Sequence, residues 1–376
     1  MPWLLIVVAM IIALLAALNV WVKRQALSTD NWTKASSRLL ENSEIRNAIS
    51  VYLVDQLYTK VDVGKEISNA LPSNLQGIGP PLAAAIEPQL VQRTSNLLGR
   101  PKVQQLWKDA NRRVHQAFMN LLNGKTSRLQ TTNGNVVLDL RPILKEVADN
   151  SGLGAKVVAK LPPDAGQIVV LKGTQLDTAR KTVKVIRVMS YFLGFLVLAL
   201  LAAAVYIARG RRRRFLLAAG VSLLVVGFII LIIRRFAGNY IVDALTSNPD
   251  DKKAVKASWA IGTALLRNVG INVLVYGIVI VFAAWIAGPS RPAVWVRRVS
   301  APTVRRYPAL LYGAVAVVLL IVLVSGPTDG SRVYPLLLLF ALAFVGTEVL
   351  RRQMLREFPS DAAPPDVPAV TPSAGA

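Results

Sequence analysis

The chain has 376 residues, 53% hydrophobic and 17% charged, against about 45–50% and about 25% in soluble domains. It holds no cysteine and one histidine, which excludes disulfides, thiolate metal centres, cysteine nucleophiles and multi-histidine zinc sites. The 44 basic and 21 acidic residues give a net charge of +23. That excess would suggest nucleic acid in a soluble chain but marks cytoplasmic loops in a membrane chain, so no nucleic-acid partner is expected.

Six segments come close to the roughly 20 apolar residues that cover a hydrocarbon core of about 30 Å. They are Pro2–Val22, Val188–Ala208, Phe215–Ile233, Val269–Ala287, Pro308–Ser325 and Val333–Leu350. Glu348, near the end of the last, can reach the interface and pair with Arg351 or Arg352. The segments Arg209–Arg214, Arg291–Arg306 and Arg351–Arg356 fall on one side and carry 13 basic residues. Arg234–Arg267 and Pro327–Arg332, on the other side, carry six and one. The positive-inside rule then puts both termini in the cytoplasm and residues 23–187 outside a plasma membrane. Lys23 and Arg24, directly after the first span, argue the reverse. A longer N-terminus with basic residues ahead of that span would remove the conflict. The first span lacks the basic leader and short apolar run of a signal peptide, so an uncleaved anchor is expected.

Residues 23–187 have the composition of a soluble domain, with 24 basic and 13 acidic residues, net +11. Asn42 or Ser43 caps a helix whose apolar positions are Ile45, Ala48, Ile49, Tyr52, Leu53 and Leu57. Pro80 and Pro81 open another, which Pro88 should kink or restart and Gly99 can end. A third begins at Pro101, with Val103, Leu106, Trp107, Ala110, Val114, Ala117, Phe118 and Leu121 on one stripe. Lys108, Arg112 and His115 lie towards its polar side, so His115 is expected to be exposed. The alternation of Ser127–Leu140 around Asn133-Gly134 predicts a hairpin. A helix follows from Arg141 or Pro142 to about Asn150, then a short strand over Gly166–Leu171, then a helix from Thr174 running into the second span. Between spans three and four, Asn248-Pro249-Asp250-Asp251 starts a helix, expected to run through Val255, Trp259 and Leu266 and to support the large domain. The Pro- and Arg-rich inner loop and the tail after Phe358 read as extended or unfolded.

No pattern carries a reaction. Gly124-Lys125-Thr126 lacks the first glycine and the strand-then-helix order of a phosphate loop and reads as a helix end. The close carboxylate pairs, Glu41/Glu44 and Asp250/Asp251, stand where helix starts favour negative charge. Asp139 reads as a turn or capping residue. Asp30, the one acid of the outer segment close to the membrane, has no evident partner for acid–base work. No ionisable residue lies mid-span to suggest ion-coupled transport. What remains is basic. Lys181, Lys184 and Arg187 recur at helical spacing just above the second span, at headgroup height, where each can gain on the order of 1 kcal/mol near an anionic surface.

Five stretches carry a resemblance: SEIRNAISVYLVDQLY, RPKVQQLWKDANRRVHQAFMNLLNG, NGNVVLDLRPIL, PPDAGQIVVLKGTQLDTAR, and IAGPSRPAVWVRR after span four. In them the chain resembles a family of actinobacterial integral membrane proteins with one N-terminal anchor, a large extracytoplasmic domain and a multi-span C-terminal half. The resemblance implies that layout and carries no activity. Members often have basic residues ahead of the first span.

The expected fold is a six-helix transmembrane bundle plus a mainly helical α+β extracytoplasmic domain with a small sheet. Residues 1–22 form the anchor and 23–187 the outer domain. Residues 188–350 form five spans with a helical outer loop at 234–268, and 351–376 a Pro/Ala-rich cytoplasmic tail. The expected role is a non-enzymatic binding, sensing or scaffolding module of the cell envelope. Its partners are the lipid bilayer, anionic envelope polymers or lipids, and other membrane proteins; no cofactor or metal is expected. A transporter or channel subunit is the alternative, and a membrane-embedded envelope-biosynthesis enzyme the third reading.

Overall fold

A computed structural model describes residues 1–60, 62–124, 130–132, 135–139, 167–171, 173–325 and 333–358. The chain is predominantly helical. The helices are α1 (Pro2–Ala26), α2 (Thr29–Glu41), α3 (Ser43–Lys60), α4 (Val63–Ala70), α5 (Gly79–Leu98) and α6 (Pro101–Leu122). They continue with α7 (Gly173–Ile207), α8 (Arg212–Leu245), α9 (Pro249–Gly262), α10 (Ala264–Ile286), α11 (Arg291–Arg306), α12 (Pro308–Ser325) and α13 (Val333–Glu357). Three short strands, β1 (Gln130–Thr132), β2 (Asn135–Asp139) and β3 (Gln167–Leu171), pair antiparallel in that order. The Asn133-Gly134 turn, the helix expected from 141 to 150 and the tail after Phe358 lie outside the described residues.

Among the described residues, α1, α8, α10 and the Leu176–Ile207 part of α7 are long and apolar enough to cross a membrane. Counting α11 with the first part of α12 as one bent span makes five. The chain therefore has the helices of a multi-pass membrane protein. It divides into two compact units. One comprises Met1–Met10, Leu198–Gly227 and Ile271–Ala376; the other comprises Ile11–Val197 and Phe228–Gly270.

In the second unit, local chemistry sets most helix ends. The Ser28 hydroxyl accepts from Asn31 N–H to start α2, and the Asn42 amide oxygen accepts from Ile45 N–H, at 3.1 Å, to start α3. α5 opens on its prolines and runs through Pro88 without a break, ending at Gly99. Within α3 the covered face differs from the expected one: Ile45, Ser50 and Val54 are buried, whereas Tyr52 (62% exposed), Leu53 and Leu57 face outward. Ser50 can occupy the seam, 0% exposed, because its hydroxyl donates to the Arg46 carbonyl of its own helix. α9 begins as expected, with Asn248 Oδ1 accepting from Asp250 N–H at 3.1 Å, and packs against α3 and α2. It stops at Gly262, so Leu266 belongs to α10. The Trp259 indole N–H donates to the Arg234 carbonyl at 3.1 Å, and a side chain at Gly238 would meet that indole at 2.4 Å. Glycine is what lets α8 and α9 close there.

The other unit packs Ile6 against Ala204, Ala208 and Phe215, with Trp3 and Phe215 ring centroids 5.2 Å apart. α8 and α10 approach at backbone distance: a Cβ at Gly277 would lie 2.9 Å from the Gly220 carbonyl, the close approach that small residues permit between spans. The extended conformation expected for Arg291–Arg306 is corrected by the structure. Residues 291–306 form a helix, with Ser290 at its N-cap and Pro292 in the first turn, where its missing N–H costs nothing. Arg297, 2% exposed, is buried there. Its guanidinium donates to Glu357 at 2.8 Å, to the Gly288 carbonyl at 2.7 Å and to the Ile286 carbonyl. Arg213 donates to the Ala284 carbonyl at 2.9 Å. Two arginines therefore satisfy carbonyls left open at the end of α10, the end that attracts cations. Glu348 behaves as expected, bonded to Arg351 and Arg352 and also to the Tyr312 hydroxyl.

Candidate functional site

α7 runs unbroken from Gly173 to Ile207, so Lys181, Lys184 and Arg187 hold fixed places on one rod. Each stands three residues from the last and is turned by about 60° from it. The rotation of the rod is set at two places along it. Val183 is buried with Met119 and Leu122, backed by Leu27, Phe118, Leu176 and Ala179. Next to it the Arg180 guanidinium donates to the Leu121 carbonyl at 3.2 and 3.3 Å, closing the C-terminal end of α6. Two turns on, the Ser190 hydroxyl lies 2.6 Å from Asn19 Oδ1 of α1 and 2.7 Å from the Ile186 carbonyl, able to donate to either. With those residues turned inward, Lys181 and Lys184 are exposed and Arg187 is half-buried.

One residue joins this group that sequence reasoning assigned otherwise. Lys23 of α1 places its ammonium 3.8 Å from the centroid of the Tyr191 ring, one helical turn beyond Arg187. The cation held over an aromatic face is a stable arrangement in its own right. Two helices long and apolar enough to cross a membrane thus present Lys23, Lys181, Lys184 and Arg187 in one basic collar. The signal was in the sequence, since Lys23 directly follows an apolar run, but the α1–α7 pairing that brings it beside Tyr191 was not.

The segment that follows α1 is fastened by a buried histidine, contrary to the exposed position expected. His115 is 5% exposed. Its Nε2 lies 3.1 Å from the Ala26 carbonyl and its Nδ1 3.1 Å from the Thr29 hydroxyl. A carbonyl can only accept, so Nε2 carries the proton and Nδ1 accepts from Thr29. The ring stacks on Trp32 at 5.1 Å. Burial lowers its pKa, opposed in part by the bond to Ala26. Both nitrogens are engaged, so this imidazole joins α6 to the α1–α2 junction and is not placed as a general base. Asp30 is paired with Arg112 at 3.0 Å, an ion pair and not the second carboxylate that acid–base work would need. The Trp107 indole donates to the Ser36 carbonyl at 2.9 Å, a further tie between α6 and α2.

The other sequence candidates are structural. Asp250 pairs with Lys253 at 2.9 Å in the first turn of α9. Gly124 takes a positive φ of 71° and its N–H donates to the Leu121 carbonyl, which is the end of α6. Asp139 closes β2, opposite Gln167. A cleft of about 350 Å³ is lined by Tyr58, Asp62, Gly64, Pro80, Ala83 and Glu87. Asp62 is occupied there in capping α4 through Lys65 N–H at 2.9 Å. The Tyr58 hydroxyl donates to the Ala83 carbonyl, and burial followed by the Glu87 charge raises its pKa. Among the described residues no group of three or more His, Cys, Asp or Glu is placed to hold a metal ion. Compared with family models, curated proteins and solved structures, the chain matches none.

Proposed function

We propose that the protein is a cell-envelope membrane protein whose residues 23–187 form an extracytoplasmic, non-enzymatic binding, sensing or scaffolding module. In this reading the chain spans the plasma membrane six times, through α1, α7, α8, α10, α12 and α13, with both termini cytoplasmic. The layout is that of the actinobacterial membrane proteins the sequence resembles. The observation that carries the reading is the basic collar: four cations on two packed span helices, at the point where those helices leave their apolar stretches. Its ligands are anionic headgroups or envelope polymers, held by phosphate-directed charge and by the net +11 of the domain above. The engagement of His115 and Asp30 by neighbouring groups favours binding over catalysis in the outer segment.

The test is binding of a polyglycerol-phosphate polymer to the full-length protein in phosphatidylcholine nanodiscs. Affinity should fall steeply with salt, and Lys181→Gln, Lys184→Gln and Arg187→Gln together should weaken it roughly tenfold, as expected from losing three contacts of about 0.5 kcal/mol each or more. Salt-independent binding, or affinity unchanged in the triple variant, would contradict the proposal.

A further inference from the structure

Helix α11 has a divided surface separate from the collar, and its reading rests on α12 as a span rather than on the outer-domain reading. α11 and α12 are joined through Tyr307 alone and meet at a bend of 114°. If α12 crosses the bilayer, α11 must lie close to the membrane plane. The surface of α11 is divided to suit that position. Ala293, Arg297, Ala301 and Val304 form its buried line. On the opposite side, Trp295 (65% exposed) and Val299 (58% exposed) stand one turn apart. Arg291, Arg298 and Arg305 recur at intervals of seven along one flank of that apolar line and are all exposed; Arg305 is steered back to the Phe358 carbonyl. The underside of the helix is fixed to α13 by the Arg297–Glu357 pair at 2.8 Å. α11 thus has a rigid seat, an apolar edge with an indole, and a row of guanidinium groups beside it.

We propose that α11 is an interfacial helix that binds anionic phospholipid. Trp295 and Val299 enter the acyl boundary, and Arg291 and Arg298 engage headgroup phosphates. An amphipathic helix of this kind lies in the interface with its apolar face buried about 5–10 Å into the headgroup–acyl boundary, held by apolar area and by attraction to anionic lipid together. The planar guanidinium matches a phosphate in two-point fashion, and an indole is favoured at this depth.

Because the chain has no cysteine, full-length single-cysteine variants can be spin-labelled directly. Trp295→Cys and Val299→Cys are compared with Phe228→Cys, exposed on span α8, and Gln105→Cys, exposed on α6. The nanodiscs are of phosphatidylcholine alone or with phosphatidylglycerol. The expected result is oxygen accessibility at 295 and 299 several-fold above that at 105, with nickel-chelate accessibility reduced towards that at 228. Phosphatidylglycerol should deepen the label at 295, and Arg291→Gln with Arg298→Gln should abolish that response. Nickel accessibility at 295 equal to that at 105 would overturn the proposal, as would a depth indifferent to phosphatidylglycerol. Low accessibility to both reagents, with dipolar coupling between labels on two copies, would overturn it in favour of a self-association surface.

Discussion

The two compact units bury polar side chains in opposite ways. In the unit made of Ile11–Val197 and Phe228–Gly270, a neutral group is buried: a histidine held between a threonine hydroxyl and a carbonyl. In the other, beside the neutral Ser222 and Thr347, a guanidinium is buried against two carbonyls and a half-buried carboxylate. A neutral network avoids the cost of desolvating charge but becomes vulnerable where one member titrates. A buried guanidinium keeps its charge over a wide pH range, yet removing it orphans the carbonyls it satisfied. The first arrangement yields a domain tuned by pH; the second yields a joint that is stable but intolerant of substitution.

The largest effect is expected from the charged joint. Arg297→Ala takes the only donor among the described residues from the Ile286 and Gly288 carbonyls and the ion-pair partner from Glu357, which keeps its bond from Gln353. It should destabilise the unit by about 2–4 kcal/mol, from two orphaned acceptors at about 1–3 kcal/mol each. Thermal unfolding in detergent, read at low and high salt, should show the same loss at both, because the guanidinium is shielded from mobile ions. An effect that vanishes in high salt would mean the pair is solvated.

His115→Gln is expected to cost about 1–3 kcal/mol, the range for leaving a buried polar partner unsatisfied. Its second consequence concerns pH. The folded-state pKa of His115 lies below its ordinary value of about 6.5. Its contribution to stability is therefore complete above about pH 6.5 and is lost as pH falls, because the unfolded chain takes up the proton first. Wild type should lose stability between neutral and mildly acidic pH, and His115→Gln should remove that part of the slope. The smallest effect belongs to Asp30→Asn. The Asp30–Arg112 pair is exposed on both sides, so its loss should cost under about 1 kcal/mol and fade further as salt is raised. A larger loss at Asp30 than at His115 would invert the comparison.

Sequence reasoning found what depends on local composition and missed what depends on pairing. The apolar runs of α1, α7, α8 and α10 are uniform enough to be read directly. The start of α9 is written in Asn248-Pro249-Asp250, since N-cap, first-turn proline and acidic first turn are all short-range chemistry. The covered face of α3 was misread because a stripe of apolar residues does not say which arc a neighbour will cover. The packing of α3 against α5 and α9 brought Ser50 into the seam and left Tyr52 outside. His115 was misread for a related reason: counted along α6 it belongs with the arginines, but Ala26, Thr29 and Trp32 approach from a different helix. α11 was missed because two prolines and five arginines look like an extended loop. Pro292 sits where a helix needs no N–H, and the helix continues through Pro302 to end at Arg306. Of the collar, Lys181, Lys184 and Arg187 were legible from spacing alone, whereas Lys23 required the pairing of α1 with α7.

The sidedness of residues 23–187 is what the proposed function depends on most. Intact cells expressing Gln105→Cys or Arg214→Cys can be treated with a membrane-impermeant maleimide, each position being exposed and the chain otherwise free of cysteine. The expected result is labelling at 105 and none at 214 until the membrane is permeabilised. Labelling at 214 and protection at 105 would place the basic domain in the cytoplasm and contradict the assignment of envelope polymers and outer-leaflet lipids as its ligands.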